Sequence, residues 1–263
     1  DLDNLDENGR SIYENIDGIV RNNIIINTKY AGIGLFAANR PQVYNNTLIN
    51  TATDNFASIA IEPNIDPYAS HGKSKDVTIR NNIIVQAADA KTAAVRIRCH
   101  GGLNPCNPGL EGYLRMSNNI YYKQGAAPTF QDLRPESKFI GDLAGWQAHT
   151  NTDANSMVAD PQLDENYHLT AASIAINAGY DIAAIIDDYD GIARIGQFDI
   201  GADEYGSLYL PVLPKNGTIG TGAVSMGPDS TEPHIGPTQI SRLSSKSATI
   251  SWSTNELASS EIE

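Results

Sequence analysis

The chain has 263 residues, of which 41% are hydrophobic, and a formal net charge of −13. Residues 1–150 hold 14 basic and 15 acidic side chains, whereas residues 151–263 hold 4 and 16. Nucleic-acid binding is disfavoured because it needs a basic surface, and no run approaches the roughly 20 apolar residues of a membrane span. Because the sequence begins at Asp1 within a polar stretch, we expect it to be a fragment. The lack of a leader sequence therefore gives no information about the cellular compartment.

The first 122 residues contain a motif that occurs four times. In each copy an Asn-Asn pair separates two short runs rich in β-branched residues, and the copies are Ile19–Asn27, Gln42–Asn50, Thr78–Gln86 and Leu114–Tyr122. The second asparagines are Asn23, Asn46, Asn82 and Asn119, so the spacings are 23, 36 and 37 residues. These spacings indicate a solenoid of short coils, two of which carry an inserted loop. The turn-rich stretches Pro63–Lys75 and Cys99–Gly112 are the predicted insertions.

The Asn-Asn pair predicts a tight corner between two strands. Asparagine adopts left-handed backbone angles more readily than most residues, as such a corner requires. Where coils stack about 4.8 Å apart, equivalent side-chain amides can bond to one another along the stack. We therefore expect the four second asparagines to form an asparagine ladder. The two-residue hydrophobic period disfavours a helical repeat, and the lack of long amphipathic helices between strands disfavours a Rossmann-like fold.

A second, alternating strand follows the corner in three copies, Gly32–Phe36, Ser58–Glu62 and Ala94–Arg98. Its apolar alternate positions are expected to face the core, and they are Ile33, Leu35, Ile59, Ile61, Val95 and Ile97. Phe36, Glu62 and Arg98 then form one outward column, with Arg96 in the next. Because the insertions start after Glu62 and Arg98, we expect them to carry further polar side chains beside this face, namely His71, Lys73, Lys75 and His100.

The two cysteines, Cys99 and Cys106, flank a loop rich in glycine, proline and asparagine. Such a loop can bring the two sulfur atoms together, and we favour a local disulfide, which implies an oxidising compartment. Two free thiols are the alternative. A zinc site is disfavoured because the sequence offers no second cysteine pair and His100 is the only imidazole nearby.

The repeat fades after Tyr122, and Asp142–Ala148 predicts a short helix with Asp142 as its N-cap. Four phrases follow: Asp-Pro-Gln-Leu at 160–163, Ile-Asn-Ala-Gly at 176–179, Asp-Tyr-Asp-Gly-Ile-Ala-Arg at 188–194 and Asp-Ile-Gly-Ala-Asp-Glu-Tyr at 199–205. They resemble the C-terminal closing segment of right-handed parallel β-helix repeat proteins, which have a pectate-lyase-like fold, and disaggregatase-type surface proteins are similar. The resemblance implies an all-β, right-handed parallel β-helix over residues 1–206.

Residues 207–233 are rich in glycine and proline and are predicted to be a linker. Beyond it, residues 237–241 and 247–256 resemble the first two strands of a bacterial fibronectin type III domain, in which Trp252 is the expected core tryptophan. Residues 234–263 are too few for a complete sandwich. We therefore expect a truncated β-sandwich start. Such modules are common in secreted carbohydrate-active proteins.

The resemblance implies a carbohydrate-associated function, because the family includes polysaccharide lyases. A lyase needs a cation to neutralise a uronate carboxylate, a base and a proton donor. By similarity to chondroitinase B and alginate lyases, Arg98 or Lys73 is the candidate base, Arg96 the carboxylate-binding residue and Glu62 a calcium ligand. No local motif matches a lyase family residue by residue. The alternative is that Glu62 and Arg98 form a surface ion pair of little energetic value.

An acidic cluster near residues 187–204 is the other candidate site. Asp188 and Asp190 stand in an Asp-x-Asp-Gly phrase typical of calcium loops, although the rest of the EF-hand pattern is absent. Capping turns are the alternative. We therefore predict an extracellular or cell-surface protein, monomeric or part of a larger multidomain chain, that contacts a polysaccharide or surface glycan, with calcium as candidate cofactor. Its substrate-contacting candidates are Phe36, His71, Lys75 and His100. A non-catalytic adhesion or glycan-binding module is the competing hypothesis.

Overall fold

The computed structural model describes residues 11–64, 72–100, 107–183 and 185–206, with the strands Gln239–Ser241 and Thr249–Ser251. The chain divides into two compact units, Asp1–Pro211 and Val212–Glu263. The described part of the first unit is mostly β-strand in parallel sheets, with one α-helix. The predicted all-β class is confirmed, whereas the predicted linker at 207–233 lies outside the described residues.

Three larger sheets contain most strands of the described part of the first unit, and we name them A, B and C. Sheet A contains β1 (Asn15–Ile16), β2 (Ile19–Arg21), β5 (Ala38–Asn39), β6 (Gln42–Tyr44), β9 (Ser74–Arg80) and β14 (Leu110–Ser117). Sheet B contains β3 (Ile24–Ile26), β7 (Thr47–Ile49), β10 (Ile83–Gln86), β15 (Ile120–Lys123) and β18 (Met157–Val158). Sheet C contains β4 (Ile33–Phe36), β8 (Ala57–Glu62), β11 (Ala93–Ile97), β16 (Phe130–Asp132) and β17 (Phe139–Gly141).

The chain visits the three sheets in rotation, and we call each passage through A, B and C a round. Neighbouring strands of successive rounds pair in parallel, and only β16 and β17 pair antiparallel within these three sheets. In sheet B, Ile24 pairs with Thr47, Thr47 with Ile83, and Ile83 with Ile120. The Asn-Asn corner between sheets A and B therefore recurs at the same level of every round.

The second asparagine of each corner lies in one file. The Nδ2 of Asn23 donates to the Oδ1 of Asn46 at 2.9 Å, Asn46 donates to Asn82 at 3.0 Å, and Asn82 donates to Asn119 at 3.1 Å. Each Nδ2 of the middle two also donates to the carbonyl two residues earlier in its own corner. The side chains thus satisfy the corner backbone and join successive rounds in one network.

The first asparagine of each corner has the left-handed backbone that the turn needs. The φ angles of Asn22, Asn45, Asn81 and Asn118 are 54°, 49°, 56° and 54°. Asparagine tolerates this region at lower cost than other side chains with a Cβ atom. The first asparagine of each pair therefore makes the corner, and the second belongs to the continuous ladder. Two of the first asparagines also bond across rounds, since the Nδ2 of Asn81 donates to the Oδ1 of Asn45 at 3.2 Å.

The file of asparagines ends on a carboxylate. Asn119 donates from Nδ2 to the Oδ1 of Asp153 at 3.0 Å, and its backbone N–H donates to the Oγ of Ser156 at 2.8 Å. The Tyr121 hydroxyl donates to the other oxygen of Asp153 at 2.8 Å. Asp153 and Ser156 therefore take the place that a fifth asparagine would occupy.

A short helix lies beside the C-terminal end of the sheets. The helix α1 (Leu143–Thr150) begins after Asp142, whose carboxylate accepts the Gly145 N–H at 2.9 Å, and this confirms the predicted N-cap. The buried Trp146 stacks on Phe130 of sheet C, with ring centroids 5.7 Å apart. Phe130 in turn meets Tyr121 of sheet B edge-on. These three aromatic rings extend the hydrophobic core at the last described round.

Residues 160–205 run back along the side of the sheets rather than closing an end of the stack. Ala178, Tyr180, Asp199 and Asp187 accept hydrogen bonds at their carbonyls from the first asparagines of the fourth, third, second and first corners, at 2.7–3.0 Å. Leu169, Ala175 and Ile200 also pack on Ile83 and Ile120 of sheet B. The segment therefore covers the outer face of sheet B. Because both faces of sheet B are then covered, its strands contain continuous runs of β-branched residues.

Two short antiparallel pairs complete the described strands. In the first unit, β12 (Cys99–His100) pairs with β13 (Asn107–Pro108), which brings the two ends of the predicted disulfide loop together. No cysteine of the described part is a free thiol, and Cys106 lies outside that part, so its pairing with Cys99 stays a prediction. In the second unit, β19 (Gln239–Ser241) pairs antiparallel with β20 (Thr249–Ser251), near the two strands expected from the sequence.

Replacement of a central ladder asparagine should cost far more than replacement of a terminal one. Asn82→Ala removes a fully buried amide and leaves neighbouring polar atoms without partners. We expect the free energy of unfolding to fall by about 2–4 kcal/mol, as measured by urea denaturation. Asn23→Ala, at the exposed end of the ladder, is the matched control and should cost less than about 1 kcal/mol. Equal costs would contradict the network.

The pH dependence of stability should report the carboxylate at the ladder end. Burial raises the pKa of Asp153 from 3.8, against opposing hydrogen bonds from Ser156, Asn119 and Tyr121. Because the unfolded chain keeps the ordinary pKa, this group favours the folded state most at low pH, and the contribution is lost as pH rises through the folded pKa.

We therefore expect the unfolding free energy of the unsubstituted chain minus that of Asp153→Asn to decrease as the pH rises above the ordinary aspartate pKa of about 3.9. Chemical denaturation at several pH values measures this difference. The exposed Asp89→Asn provides the reference, which should show no comparable trend. A difference that stayed flat or rose with pH would contradict the raised pKa.

Candidate functional site

The outer face of sheet C brings together four of the predicted site residues. Ile33, Leu35, Ile59, Ile61, Val95 and Ile97 are buried in the core, which confirms their predicted inward orientation. The residues between them point outward, and the register pairs Phe36 with Glu62 and Ala60 with Arg96. Arg98 follows β11, and its N–H donates to the Ile61 carbonyl, so it lies beside Glu62.

Glu62 holds the two arginines of this face. Its Oε1 accepts from the Arg96 guanidinium at 2.8 Å, and its Oε2 lies 3.6 Å from the nearest nitrogen of Arg98. Glu62 is fully buried, and the side chain of Arg96 is 10% exposed, whereas that of Arg98 is 37% exposed. Glu62 and Arg96 therefore form a buried ion pair, which the sequence did not predict. The Glu62–Arg98 pair considered from the sequence joins a buried carboxylate to a partly exposed guanidinium.

Two buried polar atoms of this group lack hydrogen bonds among the described residues. They are the Oε2 of Glu62 and the Nε of Arg96. A buried polar atom without a partner costs about 1–3 kcal/mol, and such atoms are rare in folded proteins. The Glu62 oxygen also lies just beyond hydrogen-bonding distance of Arg98, which a small movement of this half-exposed side chain would close.

An aromatic cluster lies directly beside these charges. The ring of Phe56 meets Tyr30 at 5.9 Å and 89°, and meets Phe36 at 5.9 Å and 68°. The guanidinium carbon of Arg96 lies 5.4 Å from the Phe56 centroid. Tyr30 is 54% exposed, while Phe36 and Phe56 are half-buried. We call the contiguous set Tyr30, Phe36, Phe56, Glu62, Arg96 and Arg98 the aromatic–arginine surface.

Two backbone features hold the aromatic cluster in place. Phe56 has a φ of 70°, which is unfavourable for a bulky residue, and its N–H donates to the side chain of Asn55 at 2.7 Å. Backbone strain of this kind concentrates at binding and active sites. The ring of Phe36 folds over Gly34, where a Cβ atom would lie 2.5 Å from the ring. Only glycine therefore allows this ring orientation.

The remaining predicted contacts fall elsewhere or outside the described part. Lys75 lies in β9 and pairs with Asn39 and Glu111, so it belongs to sheet A rather than beside sheet C. Lys73 precedes β9, and its Nζ lies 3.6 Å from a carboxylate oxygen of Glu111. His71 lies outside the described residues, and only the backbone of His100 is described, in β12. Neither lysine thus joins the aromatic–arginine surface.

Sequence reasoning missed Tyr30 and Phe56 as members of this surface. Both precede an outward-facing strand of sheet C and lie in the connection from sheet B. The available signal was an aromatic residue shortly before two of the three alternating strands. The position of Phe56 was hard to predict even so, because its backbone is left-handed and bulky residues rarely adopt such angles.

The acidic cluster of residues 187–204 is organised around the buried Arg194. Its guanidinium donates to the Glu204 carboxylate at 3.0 Å and to the Gly201 and Ala202 carbonyls at 3.0 and 2.9 Å. Burial lowers the pKa of Arg194, while Glu204 and neighbouring aspartates act in the opposite direction. Asp199 accepts backbone N–H groups of Asn177 and Tyr205. Much of this acidic cluster therefore stabilises the fold of the segment.

The two aspartates predicted as metal ligands differ in availability. Asp188 is buried, and its oxygens accept the N–H groups of Asp190, Ile192 and Glu204. Asp190 is exposed, and its Oδ2 lies 3.1 Å from the Nε2 of His168. Asp203 lies close by, and His168, Asp190 and Asp203 offer ligand atoms within 4.8 Å of one another. A cation site here would thus contain a histidine.

A cavity of about 210 Å³ lies next to that cluster, on the outer side of sheet B. Its walls combine apolar, aromatic and acidic side chains, namely Ile49, Val85, Tyr122, Asp160, Pro161, Leu163, Asp164 and Tyr167. Asp164 also lies 4.0 Å from the Nδ1 of His168.

No protein-family model matches this chain, and no curated protein compared with it matches either. Among the residues that the structure describes, none of the helices is long and apolar enough to cross a membrane.

Removal of the Glu62 charge should destabilise the fold because it leaves Arg96 buried without a counter-ion. We expect Glu62→Gln to lower the free energy of unfolding by about 3 kcal/mol or more. Glu111→Gln, which breaks the partly exposed pair with Lys73, is the control and should cost less than about 1 kcal/mol. Urea denaturation of both variants provides the measurement, and a Glu62→Gln cost as small as that of the control would count against a buried pair.

Proposed function

We propose that residues 1–206 form a right-handed parallel β-helix of pectate-lyase-like type, and that this β-helix binds an anionic polysaccharide through the aromatic–arginine surface. The rotation of the chain through three parallel sheets supports the architecture, as do the in-register asparagines. Solenoids of this kind present long flat faces, on which an extended polymer can contact several successive rounds.

The observation that carries the proposal is a cluster of three aromatic rings on one outward face, where Phe56 contacts both other rings and the Arg96 guanidinium. Arg98 lies beside this cluster through its approach to Glu62. Aromatic rings offer an apolar surface with little conformational freedom to lose, as a sugar ring with its apolar C–H face requires. Arg98 supplies a planar fork that matches a carboxylate. Because one glutamate faces two arginines, the group keeps a net positive charge, which favours a uronate over a neutral sugar.

Binding without turnover is the form of the proposal that the side chains favour. Arginine stays protonated in proteins, so Arg98 beside the Glu62 carboxylate is a poor general base. Arg96 is engaged by Glu62, and Lys73 lies near Glu111. A polysaccharide lyase remains the second candidate because the same face carries the charges that neutralise a uronate. Its activity would require a base from outside the described residues.

An extracellular or cell-surface location belongs to the same proposal. The predicted disulfide between Cys99 and Cys106 fits an oxidising compartment, and β12 and β13 bring the ends of that loop together. The antiparallel pair β19–β20 is compatible with the start of a fibronectin type III-like sandwich.

The test is binding of polygalacturonate, with dextran as the neutral polymer, measured by isothermal titration calorimetry. We expect uronate binding to weaken about tenfold in Arg98→Ala and several-fold in Tyr30→Ala, because each removes an exposed contact without removing a core side chain. The matched controls are Arg115→Ala and Tyr113→Ala, which are exposed residues of sheet A.

Binding that fell equally in Arg98→Ala and Arg115→Ala would mean that net charge alone attracts the polymer, and the proposed surface would be rejected. The same samples, incubated with calcium, test the lyase candidate through the ultraviolet absorbance of unsaturated products. A rise that disappears in Arg98→Ala would replace the binding proposal with an enzymatic one.

A further inference from the structure

We propose that His168, Asp190 and Asp203 form a binding site for a divalent transition-metal ion of the zinc class. The three residues come from separate loops of residues 160–205, yet their ligand atoms lie within 4.8 Å of one another. The Nε2 of His168 is 3.1 Å from the Oδ2 of Asp190. Ligand atoms bound to one zinc ion at about 2.0–2.2 Å are separated by about 3–4 Å, so the three need only small movements.

Asp203 is the most buried of the three residues. This residue is only 8% exposed, and its Oδ2 accepts the Leu169 N–H at 2.7 Å. Burial and the nearby negative charges of Asp188 and Asp190 disfavour its ionised form. A bound cation would compensate this charge.

A neighbouring carboxylate lies near the second ring nitrogen of the histidine. Asp164 accepts the backbone N–H of His168 at 2.9 Å, and the same oxygen lies 4.0 Å from the Nδ1 of the ring. Metal-binding histidines commonly direct the second ring nitrogen to a carboxylate, which fixes the ring and raises its basicity. The other ring nitrogen, Nε2, contacts the carboxylate of Asp190.

The ligand set distinguishes this site from the calcium loop expected from the sequence. Calcium prefers six to eight oxygen ligands, whereas an imidazole nitrogen with two carboxylates suits zinc and related ions. Asp188 is not available as a ligand, because backbone N–H groups occupy its oxygens. His168 and Asp190 are partly exposed, so water can complete the coordination.

The site would hold the loops of the C-terminal segment against sheet B. Leu169 follows His168 and packs on Ile83 and Ile120 of sheet B, as does Ile200, which precedes Asp203. A metal that binds only the folded arrangement raises its stability in proportion to the logarithm of the free-ion concentration. The ion therefore acts as a structural crosslink that is independent of glycan binding on sheet C.

Titration of the untagged, chelator-treated chain with zinc chloride tests the proposal. We expect one calorimetric binding event that is lost or weakened at least about tenfold in Asp190→Asn and in His168→Gln. Zinc in excess should raise the thermal midpoint by about 4 °C or more, and calcium at the same concentration should not. Both substituted residues are partly exposed, so the variants are expected to fold, as circular dichroism will verify.

Glu165→Gln is the matched control, because it removes an exposed negative charge in the same loop and should leave zinc binding unchanged. The proposal is overturned if zinc binds equally to all four chains, because the ion would then be held elsewhere. It is also overturned if calcium binds and zinc does not. Uronate binding is measured in parallel, so that failure of either proposal is recognised separately.

Discussion

Hydrogen bonding between buried side-chain amides of successive rounds is the constraint on which the structure depends. An asparagine in this position must satisfy its own corner and reach the next asparagine, so every round has to return to the same height and angle. The spacings of 23, 36 and 37 residues are nevertheless unequal. The ladder fixes where each round begins, while the connections differ in length. Loop insertion is therefore compatible with strict strand register, and variation can accumulate on one face.

The aromatic–arginine surface follows from that register. Because Phe36, Glu62 and the arginines lie on neighbouring strands held in step, the Glu62 carboxylate of one round reaches the Arg96 guanidinium of the next. Burial strengthens the electrostatic attraction within this pair, but removing both charges from water costs free energy. The two polar atoms that lack hydrogen-bond partners among the described residues, the Oε2 of Glu62 and the Nε of Arg96, both belong to this pair. The face thus combines fixed charge with incomplete hydrogen bonding, which is a common property of binding surfaces.

The sequence was sufficient to predict the corners, the alternation of sheet C and the helix cap, since each depends on residues close together in the chain. It also identified Phe36, Glu62, Arg96 and Arg98 as neighbours, because a repeat converts sequence spacing into spatial stacking. Phe56 escaped because its backbone angle is set by tertiary contacts. Lys75 was assigned to the wrong face because the length of the preceding insertion does not reveal which sheet the chain enters next. His168 and Asp203 were not linked to Asp190, as these loops meet only after the segment has folded back.

The return path of residues 160–205 has a consequence for the order in which the protein can mature. The amides of the first asparagines at all four corners bond to carbonyls that belong to this last segment. On the ribosome, the earliest rounds are made more than a hundred residues before their outer partners emerge. The N-terminal rounds therefore reach their final stability only after residues 160–205 have been made, so completion of the native state comes late in synthesis.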